Sequence, residues 1–542
     1  MPTLNNDSTA VAVNPATEAA QQRSRRIVGI SLGATLVTVL LLFAAMAFAP
    51  VDANAANTCT LTSTAPVTNW SDTTKWGGCG GGYPGQTAAG DTAVISLSGM
   101  TMNVDVAIPN GIALQMTGFA PVQVASGASL MLESSSTATS SNSFTVASGG
   151  TLGVDTGVNL STWQSSVSIN GGTFNVLGAI SFTNGLQLTV NGGTLQGGGT
   201  ITIPTSQAAT FTGTTGAMTI TGGTTIDNFG SLTLSSSANA LSINSGAIIK
   251  NESSGAFGLS GDAPINTNNV SSPLINNIGT LAKTGGTTSA ISVPLNNSGT
   301  VNAGSATIGL SGSGTHSGSF VSGSTTSIAF GGNNTFNSGT SFSGAAPVKF
   351  VAGTQTFNAS INATGGMTWS GGTIAGSGPL NVSSSLTLDG ASSTMTLTGV
   401  LKTTAAVTYA PTNLLTINGA SAVFETAYPG SFSIAGDYDI LASPSGTGIF
   451  RVTSLGNVTK TAGSTGSSIN AYVDNQSGTI ANSSSAPLNL AGGGSSTGSI
   501  TASGASSIIN ITGGTFDSSG TFGGSGVLNV AGGTLNVNAA TT

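Results

Sequence analysis

Charge is what this chain has least of. Its 542 residues include 10 Lys and Arg, 17 Asp and Glu and one histidine. Bases this sparse form no patch for nucleic acid, so no such partner is expected. A formal net charge of −7 over this length steers ligands only weakly. Residues 1–55 hold three bases and three acids, so the remainder keeps the same net charge. Cysteine is scarcer still: Cys59 and Cys79 are the only two, too few for the four ligands of a structural zinc. No Asp or Glu lies between Asp262 and Asp389, and the acids elsewhere are mostly solitary. Glycoside hydrolysis normally uses two carboxyl groups. His316 completes a Ser-His-Asp arrangement only if Asp262 or a more distant acid folds beside it. No cofactor is implied and no catalytic residue stands out.

Long apolar runs are missing too, with one exception. Arg23, Arg25 and Arg26 precede an uncharged stretch from Ile27 to Ala49, and Ala53-Asn54-Ala55 follows as a small-x-small cleavage site. Residues 1–55 therefore read as a cleaved signal peptide. The alternative is a retained N-terminal transmembrane anchor, since the run is long enough to span a bilayer. The arginines would then keep residues 1–26 cytoplasmic, with membrane contact through residues 27–49 alone. Either way the rest of the chain is expected outside the cytoplasm, extracellular or at the cell surface after Sec-type export. Cys59 and Cys79 follow the export signal, so a disulfide between them is expected, with two unpaired thiols as the alternative.

What the chain has in plenty is glycine, 80 residues of it, together with Ser, Thr and Asn. Between these, apolar residues alternate, as in Ser231-Leu232-Thr233-Leu234 and Gly526-Val527-Leu528-Asn529-Val530. Short alternating runs bounded by Gly and Asn read as all-β. Gly-Gly-Thr recurs at 171–173, 192–194, 222–224, 285–287, 371–373, 513–515 and 532–534. Asn-x-Gly turns recur at Asn228, Asn277 and Asn297, with a longer Asn-x-x-x-Gly turn at Asn251. Repeats of roughly 20–25 residues suit one coil of a parallel β-helix. Gly and Asn would serve its turns by tolerating positive φ. The fold expected is an elongated parallel β-helix (β-solenoid) with a small disulfide-containing N-terminal cap. Roughly 20 coils at a strand spacing of about 4.8 Å make a rod on the order of 100 Å long.

A longer repeat is superposed on the short one. Gly279, Leu281 and Lys283 match Gly456, Val458 and Lys460. Ser298-Gly299-Thr300 matches Ser477-Gly478-Thr479, and Gly318-Ser319-Phe320 matches Gly498-Ser499-Ile500. The organisation expected is a leader at 1–55, a cap and first coils at 56–130, and solenoid coils at 131–273. One long-repeat copy then covers 274–449, and a second, shorter one covers 450–542. The second copy ends on an ordinary core coil, Gly532-Gly533-Thr534-Leu535-Asn536-Val537, so the solenoid is expected to continue beyond Thr542 or to associate end to end.

Two segments carry a resemblance. Asn69-Trp70-Ser71-Asp72, Lys75-Trp76-Gly77-Gly78-Cys79-Gly80, Tyr83-Pro84-Gly85 and Ala89-Gly90-Asp91 look like the N-terminal opening of large bacterial surface β-solenoid proteins, which implies a cap over the first rung. A tryptophan-lined sugar cleft is the alternative there. With motifs such as NNSGTV and WSGGTIAGSGPLNV, residues 57–542 resemble the repeat-rich passengers of bacterial adhesins, autotransporters and filamentous-haemagglutinin-like proteins. The resemblance implies a surface rod that meets extracellular polysaccharide or a host or neighbouring cell surface.

Candidate chemistry is thin. Asp437 and Asp439 are the closest acid pair, and a spacing of two places them on one strand face. They form a weak candidate metal pair, with a solvated edge or loop as the alternative. His316 aligns with Ser496 in the second copy, and a repeat position that takes Ser is read as surface. Lys283 and Lys460 recur at equivalent places, which reads as inheritance by duplication, a polyanion site being the alternative. The function expected is an exported structural or adhesive rod and not an enzyme. The alternative is a β-helical carbohydrate-active enzyme (polysaccharide lyase or glycosidase) or a carbohydrate-binding protein.

Overall fold

A coil is built from three short strands, mostly of three or four residues. Thr225–Asn228, Ser231–Leu234 and Leu241–Ile243 make one coil, and Ile248–Asn251, Ala256–Leu259 and Ile265–Asn266 make the next. Each strand lies parallel on its counterpart, with Ile226 on Ile249, Leu232 on Phe257 and Leu241 on Ile265. The alternation in sequence causes this. Thr225–Asn228 points Ile226 and Asn228 inward and Thr225 and Asp227 outward, so inward residues land on inward residues one coil on. The computed structural model describes residues 55–139, 142–183, 187–268, 270–442 and 448–538. The expected leader, including the apolar run 27–49, lies outside the described residues. Among the described residues no helix is long and apolar enough to cross a membrane, and the one helical element is the 3-10 turn Thr73–Lys75.

The result is an all-β parallel solenoid of about 20 turns. One flank is an 18-stranded sheet. The other two flanks are joined into one sheet by Ser166–Val176 and Gln187–Gln196, which run round a corner. Gly171 and Gly193 make that corner at φ +85° and +97°, which explains the first Gly-Gly-Thr motifs. The Asn-x-Gly corners obey a different rule. Gly279, Gly299 and Gly318 stack on one another through successive coils. A Cβ on Gly299 would sit 2.1 Å from the Gly279 carbonyl oxygen, and one on Gly318 2.1 Å from that of Gly299. Glycine is needed there because the backbones approach closely, not because φ is positive.

The cap comes out as expected. Cys59 and Cys79 are joined by a disulfide. The single antiparallel pairing described in the chain sets Thr60 against Gly77 and Leu61 against Trp76. Asp91, buried, accepts the Asn57 and Gly85 N–H groups at 2.7 and 2.9 Å. That one carboxylate ties the Pro-Gly turn to the Gly-Asp turn and to the first strand. At the other end, Val527, Val530 and Val537 are about half exposed.

Candidate functional site

The asparagines of the Asn-x-Gly turns are not there for turn geometry. None of them has positive φ. Asn228, Asn251, Asn277 and Asn297 point inward and are buried, stacked in register on successive coils. Each Nδ2 donates to the next Oδ1 at 2.7 Å, from Asn228 to Asn251 to Asn277 to Asn297. The second Nδ2 proton reaches a corner carbonyl, those of Ala256, Thr280 and Thr300 for the first three. An internal amide ladder thus satisfies the corner backbone where water is excluded.

His316 continues this column, opposite Asn297. The surface reading drawn from its alignment with Ser496 fails, because both residues are buried; they stand on different flanks, His316 in the 18-stranded sheet and Ser496 in the 44-stranded one. The imidazole packs among Phe320, Phe330 and Phe336, with Nε2 at 3.0 Å from Asn334 Oδ1. Burial lowers its pKa from 6.5 to about 4, against a smaller opposing effect of the Asn334 bond. The folded state therefore holds the neutral ring, while the unfolded chain takes up a proton near pH 6.5. Stability is full above that value and falls as pH drops from about 6.5 to about 4, by up to about 3 kcal/mol. Urea unfolding across this pH window should show that slope, and His316→Phe should flatten it.

Lys283 and Lys460 are not surface cations either, which removes the polyanion reading. Both ammonium groups are fully buried. Lys283 Nζ donates to the Gly261 carbonyl at 2.5 Å and to Asp262 Oδ1 at 2.9 Å. Lys460 Nζ donates to the carbonyls of Gly436 and Ala462, both at 2.8 Å, to Ser467 Oγ at 3.0 Å and to Asp437 Oδ1 at 3.3 Å. The two sites are the same device. Gly261-Asp262, Lys283 and Ser289 in one correspond to Gly436-Asp437, Lys460 and Ser467 in the other, each serine bonding the glycine carbonyl. The carboxylate caps a corner of the next coil. Asp262 accepts the N–H groups of Thr287 and Thr288, and Asp437 those of Ser464, Thr465 and Gly466. The Lys283 bond, then the Thr287 N–H, holds Asp262 well below the usual carboxylate range. For Asp437 the three loop N–H groups lead and Lys460 adds to them.

This disposes of Asp437 and Asp439 as a strand-face pair. Both lie in the loop before the strand Ile440–Ala442. Asp439 Oδ1 accepts the Ser468 N–H at 2.6 Å, so the two carboxylates bind different parts of the next coil. Among the described residues no cluster of three or more His, Cys, Asp or Glu is placed to hold a metal. The tryptophan cleft is likewise replaced by packing. Trp70 and Trp76 are buried with ring centroids 4.9 Å apart, and their indole N–H groups bond the Pro84 and Trp70 carbonyls.

Some acids solitary in sequence are brought together. Asp227 lies opposite Lys250 in register, and Glu252 lies close enough to Asp227 to feel its charge. Burial, then the neighbouring Asp227 carboxylate, raise the Glu252 pKa. On another flank Lys402, Glu425, Arg451 and Asp474 form one outward column. Sequence reading missed both because partners one coil apart are 23 to 26 residues apart, a spacing that varies from coil to coil. No protein-family model matches the chain, and neither the curated proteins nor the solved structures give a significant match.

Proposed function

We propose that this protein is an exported structural or adhesive rod that presents its flanks outside the cell. The observation that supports the reading is where the polar chemistry goes. The asparagine ladder, His316 and both lysine clasps are spent inside the solenoid on backbone groups, as suits a stiff scaffold and not a reaction centre. The N-terminal run 27–49 supports export, and the disulfide suits an oxidising compartment. Immunogold labelling of whole cells with antibody against the solenoid tests it. Label on the cell exterior or on shed material is expected, and label confined to the cytoplasm would rule it out.

One observation favours a second reading, a carbohydrate-active enzyme. Asp227, Glu252 and Lys250 put two carboxyl groups and an amine on one outer face, one carboxyl with raised pKa. That reading requires turnover of an acidic or neutral polysaccharide that is lost in both Asp227→Asn and Glu252→Gln.

A further inference from the structure

The chain spends few charges, yet three of the six ion pairs among its described residues lie in one outward column. Lys402 meets Glu425 at 3.4 Å, Arg451 meets Glu425 at 3.7 Å, and Arg451 meets Asp474 at 2.8 Å. The column stands on the strands Val400–Thr403, Val423–Ala427, Ile449–Thr453 and Tyr472–Asn475. It continues a neutral one, Ser341–Asn362–Asn381, and gives way to Ser495. Two residues before each charge, on the same face, runs a second column that is apolar: Val400, Val423, Ile449 and Tyr472, preceded by Pro379. Outward positions elsewhere are mostly Thr, Ser and Asn. Tyr472 is 39% exposed, and at the corner beyond the charges Tyr428 and Leu455 are 67% and 73% exposed. Ion pairs at a surface stabilise a fold modestly, and these side chains keep between 15% and 43% of their surface exposed, so the folding of these coils accounts for only part of the pattern.

The order of signs accounts for the rest. Read along the rod, the column is plus, minus, plus, minus. Read backwards it is minus, plus, minus, plus. We propose that this flank is the contact face of an antiparallel dimer of two rods. The two-fold axis runs along the strands, midway between the rungs of Glu425 and Arg451. A rotation about that axis returns every column to itself with its direction reversed. Lys402 then faces Asp474 of the second copy and Glu425 faces its Arg451, while the apolar column closes on itself with Val423 against Ile449. Such a contact is isologous and closes at two copies. Rods packed in parallel register would set like charge on like, which is unfavourable. The four charged rungs cover roughly 19 by 15 Å, less than the ~800 Å² per partner of a standard interface, so the association is reversible and salt-sensitive. It does not depend on the rod's location.

Sedimentation velocity of the full-length protein from about 1 to 100 μM, at low and at high salt, tests this. A monomer–dimer equilibrium weakened by salt is expected. Lys402→Glu and Asp474→Lys should each raise the dissociation constant roughly tenfold. K402E/D474K should restore it to within about threefold, because the reversed charges again face each other across the axis although their neighbours within the chain stay mismatched. Circular dichroism confirms that each variant is folded. A monomer under all conditions would overturn the proposal, as would a double variant as weak as the singles. Association indifferent to both reversals would also overturn it, since it would point to contact through the rod ends.

Discussion

Asn277→Ala is expected to destabilise the coils on either side of it by about 4 kcal/mol. The side chain accepts from Asn251 Nδ2, donates to Asn297 Oδ1, and donates to the Thr300 carbonyl at 3.0 Å. All three partners sit where water does not reach, so the substitution leaves buried polar groups unpaired and opens a gap between stacked coils. A solenoid opens locally because each coil contacts mainly its neighbours, so amide exchange reads the effect best. Exchange in strands Leu274–Asn277 and Thr300–Ala303 should quicken roughly a thousandfold, with strands near the cap unchanged. Asn296→Ala, one residue away and pointing outward, removes only an exposed acceptor for the Thr315 N–H and should cost under about 0.5 kcal/mol. Equal effects of the two would contradict an internal ladder.

Lys460→Ala is expected to cost about 4 kcal/mol, measured the same way across the coils around residues 431–469. The loss comes from the Ala462 carbonyl left without a donor in the interior, from the emptied space of the lysine stem, and from one bond fewer to the Gly436 carbonyl, the Ser467 hydroxyl and Asp437, which keep their other donors. Lys460→Met should cost less, because its side chain refills the space of the lysine stem but donates nothing. Lys283→Ala should also cost less, since Lys283 serves one carbonyl and one carboxylate. The carboxylates add a pH signature separate from that of His316. Asp262 and Asp437 have lowered pKa values in the folded state, so their contribution is present above about pH 4 and is lost as pH falls below it. His316 acts between about 6.5 and 4, so the two contributions separate along one pH titration.

The coil was legible in the sequence because period-two alternation and recurrent corners are local patterns. Ser231-Leu232-Thr233-Leu234 needs no knowledge of its neighbours to read as a strand. The polar interior was not legible, because a side chain's meaning there depends on the residue one coil away. Asn228, Asn251, Asn277 and Asn297 were visible as a repeat, but were assigned to turn geometry when they form a hydrogen-bonded column. The long repeat aligned His316 with Ser496, which is an inward position on a different flank. A small polar residue at that position suggested the surface, yet an internal column that already carries asparagine also accepts Ser. Lys283 and Lys460 were matched without their partners. The signal that would have completed the match is Gly-Asp, present at 261–262 and again at 436–437, ahead of each lysine. Disulfide and cap were readable because two cysteines leave one pairing, and because the Pro-Gly and Gly-Asp turns are bound by one carboxylate.

Lysine reactivity on intact cells tests fold and location together. A membrane-impermeant amine-reactive ester, read residue by residue by mass spectrometry, should modify Lys75 and Lys402, whose side chains are 38% and 43% exposed. It should leave Lys283 and Lys460 untouched until the protein is denatured, because both are fully buried. Modification of Lys283 or Lys460 in the native protein would contradict the internal clasps. Protection of Lys75 and Lys402 on intact cells, followed by their labelling after lysis, would contradict a rod displayed outside the cell.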